Sequence, residues 1–242
     1  MDFKKFWNNS RRLMSKKSKR QEYIGSVQKK RYQISEAIDI LNNSPKTKFQ
    51  ESLDVSIRLG IDPEKSDQNV RGATSLPSGS GKPCKVAVVV EGGLAKEAEQ
   101  AGADAVGMDD LVKKLQENQE DFDVIIATPD TMKLVSPLGK ILGPKGIMPN
   151  PKTGTVTKDV GKAVKNAKAG QIRYRADKGG IVHGRIGDLT FDSSKVKDNL
   201  EALLEDLKRN KPPSSKGVFI KKVFLSSTMG AGIEIELSSL RY

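Results

Sequence analysis

Val218 to Leu237 reads VFIKKVFLSSTMGAGIEIEL, and the reading of this stretch decides the fold. Val218, Phe219, Ile220, Val223, Phe224 and Leu225 form a β-rich run. Ile233, Ile235 and Leu237 then alternate with Glu234 and Glu236. The pattern predicts a strand, a tight loop and a half-buried returning strand. Between them, Ser226 to Gly232 places three hydroxyls, Met229 and two glycines at the reversal. Small hydroxyl side chains and bare backbone can lie close against a ribose or phosphate. An ordinary hairpin turn also needs glycine there, so the loop leaves both readings open until the rest of the chain is considered.

The chain has 242 residues, enough for one large domain or two ordinary ones. One cysteine, Cys84, excludes an internal disulfide. With a single histidine it also excludes the usual zinc ligand sets. A reducing, cytoplasmic setting fits that usage. The longest apolar run, Val86 to Val90, is far too short to span a bilayer, and the N-terminus has no apolar stretch of secretory length, so no membrane association is expected. The net charge of +12 points to a polyanionic partner. Residues 1–33 hold 11 Lys/Arg against 2 Asp/Glu, whereas residues 79–171 hold 13 against 12. Basicity therefore belongs to the ends of the sequence, with the arm at 1–33 read as a solvated segment or exposed helix.

Ile34, Ala37, Ile38 and Leu41 give the stripe of a short helix ending near Asn43. Odd positions from Phe49 to Leu59 are predominantly apolar and even ones polar, which predicts a long one-faced strand. A polar loop over 60–72 leads to a second extended segment ending at Leu76, and 77–83 reads as a connector. The period then changes. Strands at Val86–Val90, Ala105–Gly107 and Phe122–Thr128 alternate with helices at Leu94–Ala101 and Leu111–Leu115, the signature of a parallel sheet covered on both faces. Leu138 to Thr157 is rich in glycine, proline and lysine and is expected to be an ordered loop. A helix at Val160–Ala167 follows. Ile172, Tyr174 and Ala176 are then expected to pair with Ile181–Ile186 as a hairpin around Asp177-Lys178-Gly179-Gly180. Val196, Leu200, Leu203, Leu204 and Leu207 mark the clearest amphipathic helix, stopped by Pro212-Pro213.

Strand-rich ends around a strand-helix middle predict an α/β protein of two domains, one inserted into the other. The boundaries are 1–78 and 172–242 for the discontinuous domain and 79–171 for the insert. The opening segment alone has too few strands to bury the apolar face of Phe49–Leu59.

Enzymatic signatures fail in turn. Gly79-Ser80-Gly81-Lys82 has Leu76 where a P-loop needs its first glycine, Pro83 where it needs Ser/Thr, and its strand on the wrong side. Glu91-Gly92-Gly93 lacks dinucleotide spacing. His183 has no second histidine for a triad, and its place in the hairpin favours a structural or RNA-contacting role. No catalytic residue, metal or cofactor is expected; the alternative is an α/β nucleotide-binding enzyme using the middle domain.

Several stretches together closely resemble the bacterial ribosomal protein L-one family: Lys48 to Val55, Leu59 to Pro63, Ser66 to Gly72, Leu138 to Val156, and Ser227 to Gly230. The likeness runs from about Met14 to Glu236. It implies a split α/β first domain with a Rossmann-like insert. The implied function is binding the mobile stalk region of large-subunit rRNA, assisting release of deacylated tRNA, and repressing the protein's own operon mRNA, as a free monomer. Family RNA contacts, carried over where motifs match, fall on Lys48, Phe49, Glu51, Ser52, Asp177, His183 and the loop residues Ser227, Thr228, Met229 and Gly230. This chain departs from the family in two places. Ala231 replaces a usual proline, removing its restraint on φ, and Ser52 replaces a usual threonine, which keeps the hydroxyl. Residues 1–13 have no counterpart and Met14-Ser15-Lys16-Lys17 resembles the family's start, which fits either an upstream start codon or an added arm.

Overall fold

A computed structural model describes residues 18–116 and 121–240; residues 1–17 of the basic arm lie outside them. Helix α1 (Lys19–Ser26) opens on a capping box. The Ser18 hydroxyl accepts from the Gln21 N–H at 3.3 Å, and the Gln21 side chain accepts from the Ser18 N–H at 3.0 Å. Strand β1 (Arg31–Tyr32), helix α2 (Ile34–Asn42), strand β2 (Ser52–Leu59) and strand β3 (Arg71–Ser75) follow. The middle runs β4 (Val86–Val89), α3 (Leu94–Gln100), β5 (Ala105–Gly107), α4 (Asp109–Gln116), β6 (Val124–Ala127), α5 (Met132–Val135), α6 (Gly139–Lys145) and α7 (Val160–Lys168). The close is β7 (Gln171–Arg175), β8 (Ile181–Asp188), α8 (Ser193–Arg209), β9 (Ile220–Ser227) and β10 (Ile233–Ile235).

These elements make the two-domain α/β fold. In the middle, β5, β4 and β6 form a parallel sheet in that order. Alternate residues of its strands feed two cores. Ala87, Val89, Ile125 and Ala127 meet Leu111, Leu115, Val135, Leu138 and Leu142 on one side. Val86, Val88, Val124 and Ile126 meet Ala98, Val160, Val164 and Ala167 on the other. The near-continuous apolar strands of the sequence follow from this double cover.

The larger core draws on residues from 32–76 and 172–240. Its five-stranded sheet has the order β1-β10-β9-β2-β8, so the early strand β2 lies between two strands from the closing segment. Leu53, Val55, Ile57 and Leu59 of β2 are buried with Val223, Leu225, Ile233 and Ile235. Helices α2 and α8 cover that face, and Val196, Leu200, Leu203, Leu204 and Leu207 are fully buried. The other face of the sheet carries polar residues.

Four expectations need correction. Leu138–Thr157 contains helix α6 with Pro144 inside it. The helix holds because Leu138 and Leu142 are buried and its end is closed by left-handed Gly146, whose N–H reaches the Gly143 carbonyl while Ile147 N–H reaches Leu142. Next, β7 and β8 are not a paired hairpin. β7 pairs with β3 in a separate ribbon and β8 pairs with β2, leaving one bridge, Ala176 to Val182. The eight-residue alternating edge of β2 offers β8 a longer ladder than β7 does. The turn itself is as expected, with Asp177 Oδ1 accepting from the N–H groups of Gly179 and Ile181 at 2.8 Å each. Third, β2 begins at Ser52, and Phe49 is 54% exposed instead of sharing the apolar face. Glu51 occupies the buried position ahead of Leu53. Finally, β10 gains a parallel neighbour, β1, from the end of the basic segment, a pairing of two residues too short to leave a periodic signal.

Candidate nucleic-acid interface

Strand β2 is the spine of the polar face. Its outward residues are Ser52, Asp54, Ser56 and Arg58, because a strand alternates sides and the odd residues face the core. Register places Ser56 between Phe224 of β9 and His183 of β8, and Glu234 of β10 beyond Phe224. Asp54 stands between Ser226 and Arg185 in the same way. One surface thus presents hydroxyls, an imidazole, charged groups and an aromatic ring.

Two groups of sequence-selected residues meet on this strand. At its start, Ser52 N–H donates to Thr228 Oγ1 at 3.0 Å, Thr228 N–H donates to the Ser52 carbonyl at 3.1 Å, and the two hydroxyl oxygens lie 2.9 Å apart. Ser52 O–H donates to Asp54 at 2.8 Å. Four residues on, Ser56 Oγ lies 3.1 Å from His183 Nδ1, and His183 Nε2 lies 3.4 Å from Asp177 Oδ2. An imidazole protonated at Nε2 satisfies both partners. The two groups are about 13 Å apart along one strand, at roughly 3.3 Å per residue.

Around the Ser52–Thr228 pair, Lys48, Phe49, Thr228 and Met229 are exposed, the last at 49%. Glu51 and Ser227 lie beneath them, each 4% exposed. Glu51 Oε2 accepts from Ser227 O–H at 2.7 Å and from Met229 N–H at 3.2 Å, and Arg20 of α1 lies 3.4 Å from its other oxygen. Ala231 is buried, and the loop before it is held by the bonds from Ser52 and Glu51.

Sequence reasoning missed Asp54, Ser56, Arg58, Lys222 and Phe224, which complete the surface with Ser226. The alternation of β2, and of β9 from Val223 to Ser227, held that signal for all but Lys222, because a position between two buried ones had to face outward; Lys222 follows Lys221 where the β2–β9 register shifts.

The model of the ribosomal protein L1p/L10e family matches residues 40–231, a range that holds β2, β8 and β9 of the five-stranded sheet and the whole middle domain. The chain belongs to the ribosomal protein L1p/L10e family. It is similar to the large ribosomal subunit protein uL1 of Saccharophagus degradans and that of Cellvibrio japonicus, each 57% identical over 229 residues, 94% of this chain and 99% of the relative. The uL1 of Acinetobacter baylyi is 55% identical over the same span. The L1p/L10e family is one of ribosomal proteins, and this chain is not an enzyme, which corrects the nucleotide-enzyme alternative. Gly79 and Gly81, which suggested a fragment of a phosphate loop, have positive φ and serve the connector turn. Among the described residues, no group of three or more His, Cys, Asp or Glu could hold a metal, and no helix is long and apolar enough to cross a membrane.

Two carboxylates of this region titrate low. The N–H of Ile181 holds Asp177 below the usual carboxylate range, against slight desolvation, and Gly179 and His183 add to it. Burial pushes the Glu51 carboxyl up, but bonds from Ser227, Met229 and Thr47 and the Arg20 charge together hold it below its ordinary value. A depressed folded pKa stabilises above the unfolded value, and that contribution is lost as pH falls through the folded one. Urea midpoints should therefore change little on account of these groups above about pH 5 and fall below about pH 4. Asp177→Asn should flatten part of that acid fall. A fall as steep in the variant as in the parent would show that Asp177 contributes none of it.

Proposed function

We propose that the protein is a structural constituent of the large ribosomal subunit that binds the mobile stalk region of large-subunit rRNA through the polar face of its five-stranded sheet. The observation that carries this reading is the run of Thr228, Ser52, Ser56 and His183 along β2, flanked by exposed Lys48, Phe49 and Met229. Hydroxyls and an imidazole at fixed spacing suit ribose 2′-hydroxyls, lysine suits phosphate, and Phe49 and Met229 cover an RNA surface by shape. Gly230 lets the loop close onto Ser227 and Leu41, where a Cβ would clash. In this assignment residues 1–78 and 172–242 make the RNA-binding domain, and 79–171 is a near-neutral insert joined through 77–83 and 169–171.

The finer activities draw on this face and on a second one. Deacylated tRNA released from the exit site needs a second phosphate-binding face, and the β3–β7 ribbon supports one. Arg71 stands opposite Arg175, and Arg173 shares their side. The adjoining cleft, lined also by Asn150 and Thr153, has no acidic residue among its described lining. Like charges placed directly opposite cost stability unless an anion joins them. The operon mRNA would occupy the polar sheet face by imitating the rRNA site, so the two RNAs should compete for one site. We further assign the protein to cytoplasmic ribosomes and take the free form as a monomer.

Thr228→Val tests the reading, since it keeps shape and removes the hydroxyl. Affinity for a stalk rRNA fragment should fall about fivefold, the equivalent of about 1 kcal/mol for a lost hydrogen bond. Unchanged affinity in a binding titration would remove the 228–230 loop from the interface.

A further inference from the structure

We infer that Glu51, held by Arg20 and Ser227, is a positioning residue beneath the 228–230 loop and makes no RNA contact itself. The inference rests on the reading of that loop as RNA-facing. The family likeness places Glu51 among the contacts, yet its side chain is almost wholly buried, and both oxygens face protein donors. Oε2 receives Ser227 O–H and Met229 N–H; Oε1 faces the Arg20 guanidinium, which also donates to the Pro45 carbonyl. Three segments remote in sequence therefore meet on one carboxylate: helix α1, the 45–51 lead into β2, and the loop after β9.

The consequence for the loop is geometric. With its O–H directed to Glu51, Ser227 Oγ sits where a Cβ on residue 230 would come within 2.3 Å, so only glycine fits there in the observed arrangement. Met229 N–H is fixed by the same oxygen, which leaves its side chain exposed. A bare carboxylate at an RNA surface would repel phosphate, whereas one buried against a guanidinium presents no such field.

Glutamine at position 51 keeps the shape but has one acceptor oxygen. Its amide nitrogen must then face either the loop donors or Arg20, donor against donor. The test uses the full chain, a stalk rRNA fragment and a salt series. Glu51→Gln should weaken binding about fivefold with the log–log salt slope unchanged, because no phosphate contact is lost. Ser227→Ala should act similarly, and the double variant should bind no more weakly than the weaker-binding single, since both changes break one device. Arg20→Met should also weaken binding at constant slope. A slope reduced in magnitude by about 0.7–0.9 in that variant would mean that Arg20 neutralises a phosphate, and would overturn the assignment. So would tighter or unchanged binding by Glu51→Gln, or additive losses in the double variant. If Glu51→Gln does not fold, as read by circular dichroism, the Ser227→Ala affinity and the Arg20→Met slope decide. Thr228→Val separates the two levels: unchanged affinity there sinks the loop as an RNA surface, while a loss there without one in Glu51→Gln sinks only the positioning role.

Discussion

Leu204→Ala should lower the unfolding free energy by about 3–5 kcal/mol, the range for truncating a leucine in a core that cannot collapse around the gap. Leu204 is fully buried on α8, and its neighbours Leu200, Leu203 and Leu207 are equally inaccessible. The helix packs beside α2 on the inner face of the sheet, with contacts to β3 and β8, so little can move in to fill the void. Urea unfolding followed by far-ultraviolet circular dichroism measures the loss. A change under about 1 kcal/mol would mean that the site relaxes freely, contrary to the packing described. Because the truncation lies on the side of the sheet away from the polar face, the RNA affinity of the folded protein should stay within about twofold, well inside the tenfold that 1.4 kcal/mol represents.

Gly230→Val should weaken RNA binding by at least about tenfold while the rest of the domain remains folded. A Cβ at 230 would lie 2.3 Å from Ser227 Oγ and 3.1 Å from Leu41 Cδ2, and valine adds two further methyls. Ser227 can yield only by leaving Glu51, and Leu41 is a core residue of α2. Such overpacking costs about 1–3 kcal/mol. Relief comes from displacing the loop, which moves Thr228 and Met229 off the polar face. Filter binding or fluorescence titration reads the affinity, and a melting curve separates it from unfolding. Wild-type affinity in the folded variant would contradict the idea that this loop must sit close to the sheet.

Much of this fold was legible in local pattern. The spacing of Val196, Leu200, Leu203, Leu204 and Leu207 specified α8, and the apolar runs at Val86 and Val124 specified a doubly covered sheet. The alternation from Leu53 to Leu59 gave both faces of β2, and hence the polar surface. What escaped were features whose partners lie far away in sequence. Glu51 interrupts the apolar alternation, and nothing nearby announces that Ser227 and Met229 will supply donors to it across 176 and 178 residues. Phe49 therefore looked like a core residue. The partnership of Ser52 with Thr228 was hidden for the same reason, although each was selected singly. β7 and β8 looked like partners because the turn between them is well formed; the competing edge of β2 could not be seen from the turn. Helix α6 was obscured by Pro144, whose penalty is offset by buried leucines and a glycine end.

If the two ends of the chain build the RNA-binding surface together, the middle is dispensable for it. The direct measurement is the affinity of a chain in which residues 79–171 are replaced by a short linker, for a stalk rRNA fragment, at fixed salt and with folding checked by circular dichroism. Affinity within about threefold of the full chain, less than 1 kcal/mol, is the predicted result. A folded remnant that no longer binds would contradict it.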